Sequence, residues 1–145
     1  MQRIMIAAAM FALAALGASF GAEAQQEKTA VLYKAQGCGC CEGHAEHLRA
    51  NGYKVRVVEV FDLDAIKRKH SVPEAQAGCH TIEVGGYVVE GHVPAKMIDK
   101  LLAEKPKIKG ISLPGMPEGS PGMSGAKTEP FKVYELGSQK VFAVD

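Results

Sequence analysis

The sequence predicts an α/β domain with the element order β-α-β-α-β-β-α, followed by a Gly/Pro-rich loop and a C-terminal β-hairpin. Three observations carry this prediction. A short apolar strand runs directly into a C-x-x-C turn and a helix, a second strand is apolar on both faces, and Gly85-Gly86 separates two short strands. This order matches a thioredoxin-like domain, although a fold does not fix a function.

The first βαβ unit is predicted from its apolar pattern. Residues 30–33 form a short buried strand, residues 42–51 have helical character, and Gly52 suits the left-handed position after a helix. Residues 54–61 are β-branched and apolar on both faces, as in a strand that is flanked by helices. Because βαβ crossovers are right-handed, we expect the two strands to be parallel.

A short helix and a hairpin follow. Asp62 is placed to cap a helix over residues 63–70. Residues 81–84 and 87–90 are predicted to pair across Gly85-Gly86, which is a strong two-residue hairpin signal.

The C-terminal part begins with a helix and then loses its periodicity. Pro94 suits the first position of this helix, and Pro106 ends it. Residues 111–130 hold four of the seven prolines, which is typical of a loop that is either functional or disordered. Residues 131–134 and 141–144 predict a closing hairpin.

The N-terminus has the pattern of a secretory signal. Arg3 precedes an apolar stretch over residues 4–20, and Ala22-Glu23-Ala24 places small residues where a signal peptidase needs them. The alternative is an uncleaved anchor, since the stretch approaches the roughly 20 residues that span a bilayer. We predict a signal peptide over residues 1–24 and a single domain over residues 25–145, which would be periplasmic and free of the membrane after cleavage.

Composition excludes several classes of function. The net charge is +1 and no run of like charge occurs, so nothing points to nucleic acid or to an anionic membrane surface. No acid/base pair or phosphate-binding loop supports an enzyme of any class other than a redox enzyme.

The four cysteines are unevenly spaced, because Cys38, Cys40 and Cys41 lie within four residues. Cys38 and Cys41 form a C-x-x-C at a helix start, where unpaired N–H groups and the helix dipole stabilise a thiolate. A dithiol redox motif does not need Cys40. Thiolates packed into one turn favour several bridged soft ions, so we predict copper(I) as the cargo. Zinc, metal-free redox chemistry and two structural disulfides are the alternatives.

The fourth cysteine, Cys79, precedes the third strand. In a thioredoxin-like fold this segment faces the C-x-x-C turn and normally carries a cis-proline. Here it is Gly78-Cys79-His80-Thr81, without a proline. A cysteine in that place adds a ligand and removes a substrate-docking feature, which argues against an ordinary disulfide oxidoreductase.

Four histidines are weighed as ligands. His44 lies one helical turn below the thiolates, as an outer ligand, a charge partner or a buried spectator, whereas His47 points away and is expected to be solvated. Strand alternation turns His80 to the sheet face opposite Cys79. The Gly85-Gly86 register places His92 directly opposite Cys79, which predicts a nitrogen ligand or a hydrogen-bond partner of the sulfur. Alternatively, His92 only ends the strand, or a bulge at Gly91 breaks the register.

Three methionines are considered, and two of them are candidates for the site. Met97 is not a candidate, because it shares a helical stripe with apolar neighbours and is predicted to pack in the core. Met116 and Met123 lie in the irregular loop, where they either fill gaps or shield copper.

Five motifs resemble, in order, a family of bacterial periplasmic proteins that was long labelled a domain of unknown function and includes the CopG-type copper-resistance proteins. The motifs are Cys38-Gly39-Cys40-Cys41, Gly78-Cys79-His80-Thr81, Gly86-Tyr87, Glu90-Gly91-His92-Val93-Pro94 and the loop from Pro114 to Met123.

The resemblance implies a thioredoxin-like fold and a role in copper tolerance, including copper(I)/copper(II) conversion. It assigns four cysteines as ligands: Cys38, Cys40, Cys41 and Cys79. The family usually has Trp where this chain has His44, so the wall of the site is less apolar here. The expected function is periplasmic copper(I) binding in a polynuclear cysteine site, and the alternative is a thiol-disulfide or copper-dependent oxidoreductase. Expected partners are copper ions and periplasmic copper efflux or chaperone proteins.

Overall fold

The computed structural model describes residues 28–145. The predicted signal peptide over residues 1–24 lies outside the described residues. Within residues 28–145, no helix has both the length and the apolar character needed to cross a membrane.

Residues 28–145 form a mixed α/β fold with a seven-stranded mixed sheet and three helices. The elements, in chain order, are β1 (Thr29–Ala35), α1 (Gly39–Ala50), β2 (Lys54–Val60), α2 (Leu63–Lys69), β3 (His80–Val84), β4 (Tyr87–Glu90), α3 (Ala95–Glu104), β5 (Gly110–Ser112), β6 (Lys132–Glu135) and β7 (Val141–Val144). A single 3-10 turn, Glu74–Gln76, lies between α2 and β3.

The sheet has the strand order β2-β1-β3-β4-β5-β6-β7. β1 and β2 are parallel, as the βαβ rule predicts, and β3 runs antiparallel to both β1 and β4. The predicted element order and the C-terminal hairpin are therefore confirmed. The short strand β5 was not predicted: it pairs with β4 in parallel, and a Cβ at Gly110 would lie 1.8 Å from the Val88 carbonyl oxygen. A residue without a side chain gives no pattern to predict from.

The helices pack through apolar stripes that orient the cysteine turn. In α1, Cys41, Ala45 and Leu48 are fully buried at the spacing of one helix face. In α3, Met97 and Ile98 are buried, so the predicted core role of Met97 is confirmed. Each large apolar side chain buried in this way contributes about 1.5–3 kcal/mol to folding. The packing holds the first turn of α1 at one end of the sheet.

The β3–β4 hairpin has the register that Gly85-Gly86 predicts. Val84 pairs with Tyr87 and Ile82 with Val89. Both turn glycines have positive φ angles, of 56° and 84°, which residues with a Cβ rarely adopt. The segments at the open end of the hairpin, which carry Cys79 and His92, therefore come together at the candidate site.

Candidate metal centre

The cysteine turn is the beginning of α1. The helix starts at Gly39, three residues earlier than predicted, and Cys38 occupies the N-cap position with extended backbone angles. Cys40 and Cys41 consequently lie in the first turn, where backbone N–H groups lack helical partners. This is the environment that stabilises thiolates.

Four sulfur atoms, which we call the sulfur cluster, lie within 4.8 Å of one another. They belong to Cys38, Cys40, Cys41 and Cys79. The Sγ atom of Cys40 is 3.5 Å from that of Cys38 and 3.6 Å from that of Cys79. The structure thus brings the fourth cysteine onto the turn, which could hold a metal ion.

The sulfur cluster is partly oxidised. Cys38 and Cys41 form a disulfide, the pair that their C-x-x-C spacing favours, whereas Cys40 and Cys79 are free thiols. The alternative of two structural disulfides does not describe this structure. Burial, reinforced by the neighbouring Cys40 thiol, raises the pKa of Cys79 to about 12. A metal ion that binds Cys79 must therefore displace its proton.

Close backbone packing brings Cys79 to the turn. A Cβ at Gly78 would lie 2.6 Å from the Cα atom of Gly91, so only glycine allows this approach. The buried Glu90 carboxylate accepts a hydrogen bond of 2.8 Å from the Gly78 N–H and pairs with Lys67. Glu90 thereby holds the segment that presents Cys79.

His92 lies against Cys79, which confirms the predicted contact. Its Nε2 atom is 2.8 Å from the Cys79 Sγ atom, and its Nδ1 atom is 2.7 Å from the carbonyl oxygen of Pro121. Because a carbonyl oxygen only accepts, Nδ1 carries the proton and Nε2 offers its lone pair to the sulfur. The geometry suits a ligand, and the role of His92 as a metal ligand stays a prediction.

The predicted position of His80 was wrong. Its side chain does not turn away from Cys79: the Nδ1 atom is 3.4 Å from the Cys79 Sγ atom. Side chains alternate only within extended backbone. β3 begins at His80, so Cys79 stands outside the strand and the two neighbours can face the same space.

His44 joins the same group and completes the histidine cluster, which consists of His44, His80 and His92. All three side chains are fully buried (0% exposed), and ring nitrogens of the three lie within 4.8 Å of one another. The His44 Nδ1 atom is 2.7 Å from His80 Nε2, and its Nε2 atom is 2.9 Å from the Val93 carbonyl oxygen. Burial lowers the pKa of His44 to about 3 and holds that of His80 well below its usual range. The cluster is therefore uncharged at neutral pH.

The contact between His44 and His80 was not predicted, because α1 and β3 are far apart in the sequence. His47 also departs from expectation. It is half-buried, and its Nε2 atom accepts a hydrogen bond of 3.2 Å from the Ala95 N–H at the start of α3. It caps a helix instead of pointing into solvent.

The Gly/Pro-rich loop covers one side of the cysteine turn. A Cβ at Gly122 would lie 2.4 Å from the Cys40 carbonyl oxygen and 2.5 Å from the backbone nitrogen of His44, so the loop backbone packs directly on α1. Met123 follows this contact and is half-buried, whereas Met116 is 40% exposed. A copper-shielding role for either methionine stays a prediction.

One family model matches part of the chain. The family model described as "Protein of unknown function, DUF411" matches residues 76–123, a range that includes Cys79, His80 and His92. No curated protein matches the chain significantly.

Two solved structures are similar over most of the chain. They are titled "Copper resistance protein copG- Form 2" and "Copper resistance protein copG- Form 1", and each is 37% identical to this chain. Their TM-scores are 0.76 and 0.75, and the likeness covers 83% of this chain and 99% and 98% of the two structures. The chain therefore belongs to the CopG-type copper-resistance family.

Proposed function

We propose that this protein is a periplasmic copper(I)-binding protein for copper resistance, which holds several copper ions in a multi-cysteine site. The observation that carries the proposal is the convergence of four cysteine sulfurs within 4.8 Å, three of them from one helical turn. Sulfur ligands in this number select soft ions.

The arrangement of the sulfurs favours copper(I) over zinc. A structural zinc site is usually a closed tetrahedron built from two separated pairs of ligands. Here Cys40 and Cys41 are adjacent in sequence, so their sulfurs are better placed to bridge neighbouring ions than to surround one. Reduction of the Cys38–Cys41 disulfide by a thiol reductant would release the two remaining ligands. The reduced protein is therefore the form that loads fully.

The surroundings of the site support a thioredoxin-like domain, and the N-terminal sequence supports export. The C-x-x-C turn joins β1 to α1, and the residue before β3 faces it, which is the arrangement expected for that fold. The N-terminal pattern of a secretory signal supports a periplasmic location. In that compartment the protein would receive copper from, or pass it to, efflux or chaperone proteins.

A second candidate function is a thiol-disulfide or copper-dependent oxidoreductase. The Cys38–Cys41 disulfide favours it, because these cysteines can cycle between two redox states. Closing the disulfide from two thiols releases two protons and two electrons, enough to reduce two copper(II) ions to copper(I). The missing proline before His80 argues against protein disulfides as substrates.

Copper(I) titration of the fully reduced protein tests the proposal. Competition with a chromophoric copper(I) chelator, without oxygen, should show more than one ion per chain. The comparison variant is Cys40→Ser, which removes the sulfur that lies 3.5 Å from that of Cys38 and 3.6 Å from that of Cys79 and should lower the stoichiometry. Saturation at one ion, or displacement of copper by equimolar zinc, would contradict a polynuclear thiolate site.

A further inference from the structure

Two backbone carbonyls define where the protons of the histidine cluster lie. The carbonyl oxygens of Val93 and Pro121 only accept hydrogen bonds, so His44 Nε2 and His92 Nδ1 are protonated. The His44 ring is fully buried, and its two nitrogens are hydrogen-bonded to an imidazole and to a carbonyl group, so it holds the single proton of the neutral form and its Nδ1 atom is bare. The hydrogen bond of 2.7 Å between His44 Nδ1 and His80 Nε2 must then be donated by His80.

This proton arrangement leaves two nitrogen lone pairs aimed at one sulfur. His80 is buried in the same way, and a neutral ring whose proton is on Nε2 has a bare Nδ1 atom. That atom is 3.4 Å from the Cys79 Sγ atom, and the bare Nε2 atom of His92 is 2.8 Å from the same sulfur. In metal sites, a ligating histidine almost always donates its other N–H to an outer partner, and both rings do so here.

We propose that Cys79, His80 and His92 form a one-sulfur, two-nitrogen site for a single metal ion, and that His44 is the positioning residue that keeps His80 in its ligating tautomer. The inference rests on the proposed function for its cargo, copper(I). It goes beyond that function because this site needs neither Cys38 nor Cys41.

The geometry shows why the proposed site does not depend on the Cys38–Cys41 disulfide. Cys38 and Cys41 are consumed by their disulfide, whereas Cys79 remains a free thiol beside both nitrogens. Cys40, also free, lies 3.6 Å from Cys79 and can supply a fourth ligand. A mixed sulfur and imidazole set suits copper and zinc. The oxidised protein therefore keeps one ion when the rest of the sulfur cluster is closed.

The role of His44 follows from what His80 would lose without it. A buried donor that lacks an acceptor is destabilising, so the His80 proton would move to Nδ1 and bond to Cys79. The lone pair that faces the metal position would then be gone. Loss of such an outer partner typically weakens metal affinity about 10–100-fold.

The first test uses the full chain with Cys38→Ser and Cys41→Ser together. Copper(I), supplied as its acetonitrile complex without oxygen, should bind at one ion per chain, as it should in the disulfide-closed protein. In this background His80→Gln should weaken binding by roughly 100-fold or more, since it removes a ligand instead of an outer partner. His70→Gln, a histidine on α2's C-cap, is the control and should bind like its parent.

The second test reads the tautomers of the metal-free protein and does not depend on copper. Long-range ¹H–¹⁵N spectra should show His80 protonated at Nε2. His44→Phe should move that proton to Nδ1, and His44→Asn, which keeps an acceptor oxygen, should preserve it. A His80 tautomer that is the same in all three proteins overturns the role of His44, and thermal unfolding identifies any variant that has not folded.

The two proposals fail in different ways. If the reduced wild-type protein binds no copper(I), the proposed function is wrong. If it binds copper(I) but the double serine variant and the disulfide-closed protein do not, only the site at Cys79, His80 and His92 is refuted. Binding that is unaffected by His80→Gln has the same consequence.

Discussion

The sulfur cluster and the histidine cluster lie side by side but are assembled differently. Three of the four sulfurs come from a single turn at the start of α1, so the sequence alone displays them. The histidines come from α1, from the first residue of β3 and from the segment after β4. One cluster is a local motif, and the other exists only because the sheet and helix pack together.

The two clusters also differ in burial and in chemistry. Cys40 and Cys79 are only partly buried, and the other two cysteines form a disulfide. The histidines are fully buried and uncharged, and carbonyl oxygens accept hydrogen bonds from two of them, His44 and His92. On the two proposals above, the sulfur cluster would set which metal binds and how much, and the histidine cluster would govern what is retained on oxidation.

Cys79 is a member of the sulfur cluster and also contacts the histidine cluster, so its loss should have the largest effect on copper(I) binding. Cys79→Ser removes the sulfur that lies 3.6 Å from Cys40 and 2.8 Å from His92. We expect copper(I) retention to fall in both the reduced and the disulfide-closed protein, as measured by chelator competition. The control carries Cys38→Ser and Cys41→Ser together, cannot form the disulfide, and should keep the single ion bound at Cys79. If the Cys79→Ser protein retains copper(I) as well as the wild type does, Cys79 is not a ligand that the two clusters share.

Air oxidation should divide the sulfur cluster in two. We expect Cys38 and Cys41 to pair first, leaving Cys40 and Cys79 open to alkylation, as in the structure. Copper capacity should then drop to one ion per chain. Alkylation followed by mass spectrometry identifies the pairing; four free thiols after prolonged aeration would show that α1 does not activate its cysteines.

Removal of one nitrogen should have a smaller effect. His92→Ala deletes the Nε2 atom beside Cys79, and retention of copper(I) by the disulfide-closed protein should weaken by roughly 100-fold or more, since a ligand is lost instead of an outer partner. His70→Ala is a better control than His47→Ala, because His47 caps α3. Equal retention by the His92 and His70 variants would reduce His92 to a structural residue.

Acid should weaken the fold through the buried histidines. The pKa of His44 is about 3 in the folded protein and about 6.5 when unfolded, so stability is fully present above pH 6.5 and is lost as the pH falls below it. The loss should approach about 1.4 kcal/mol per pH unit for each such histidine. Urea unfolding of the metal-free protein between pH 7.5 and 5 measures this slope, and His44→Phe should reduce it. A flat profile would contradict a neutral, buried cluster.

Local rules predicted the parts of this molecule that depend on neighbouring residues. The Gly85-Gly86 turn fixed the hairpin register and hence the contact between Cys79 and His92. Strand alternation failed for His80 because the strand begins at that residue. β5 was missed because its pairing with β4 is not local and Gly110 carries no side chain.

The contact between His44 and His80 required the packing of α1 against β3, which no sequence pattern displays. The motif Gly78-Cys79-His80-Thr81 could have drawn attention to His80, since it places a histidine next to a ligand candidate. Helical spacing did place His44 on the same side as Cys41, but it could not supply the partner.

Copper K-edge X-ray absorption of the reduced, copper-loaded protein tests the central claim most directly, because it reports the atoms around the metal. A polynuclear thiolate site predicts a copper(I) edge, a first shell dominated by sulfur with a minor nitrogen contribution, and scattering from a neighbouring copper ion. A first shell of nitrogen and oxygen alone, with no copper neighbour, would contradict the account.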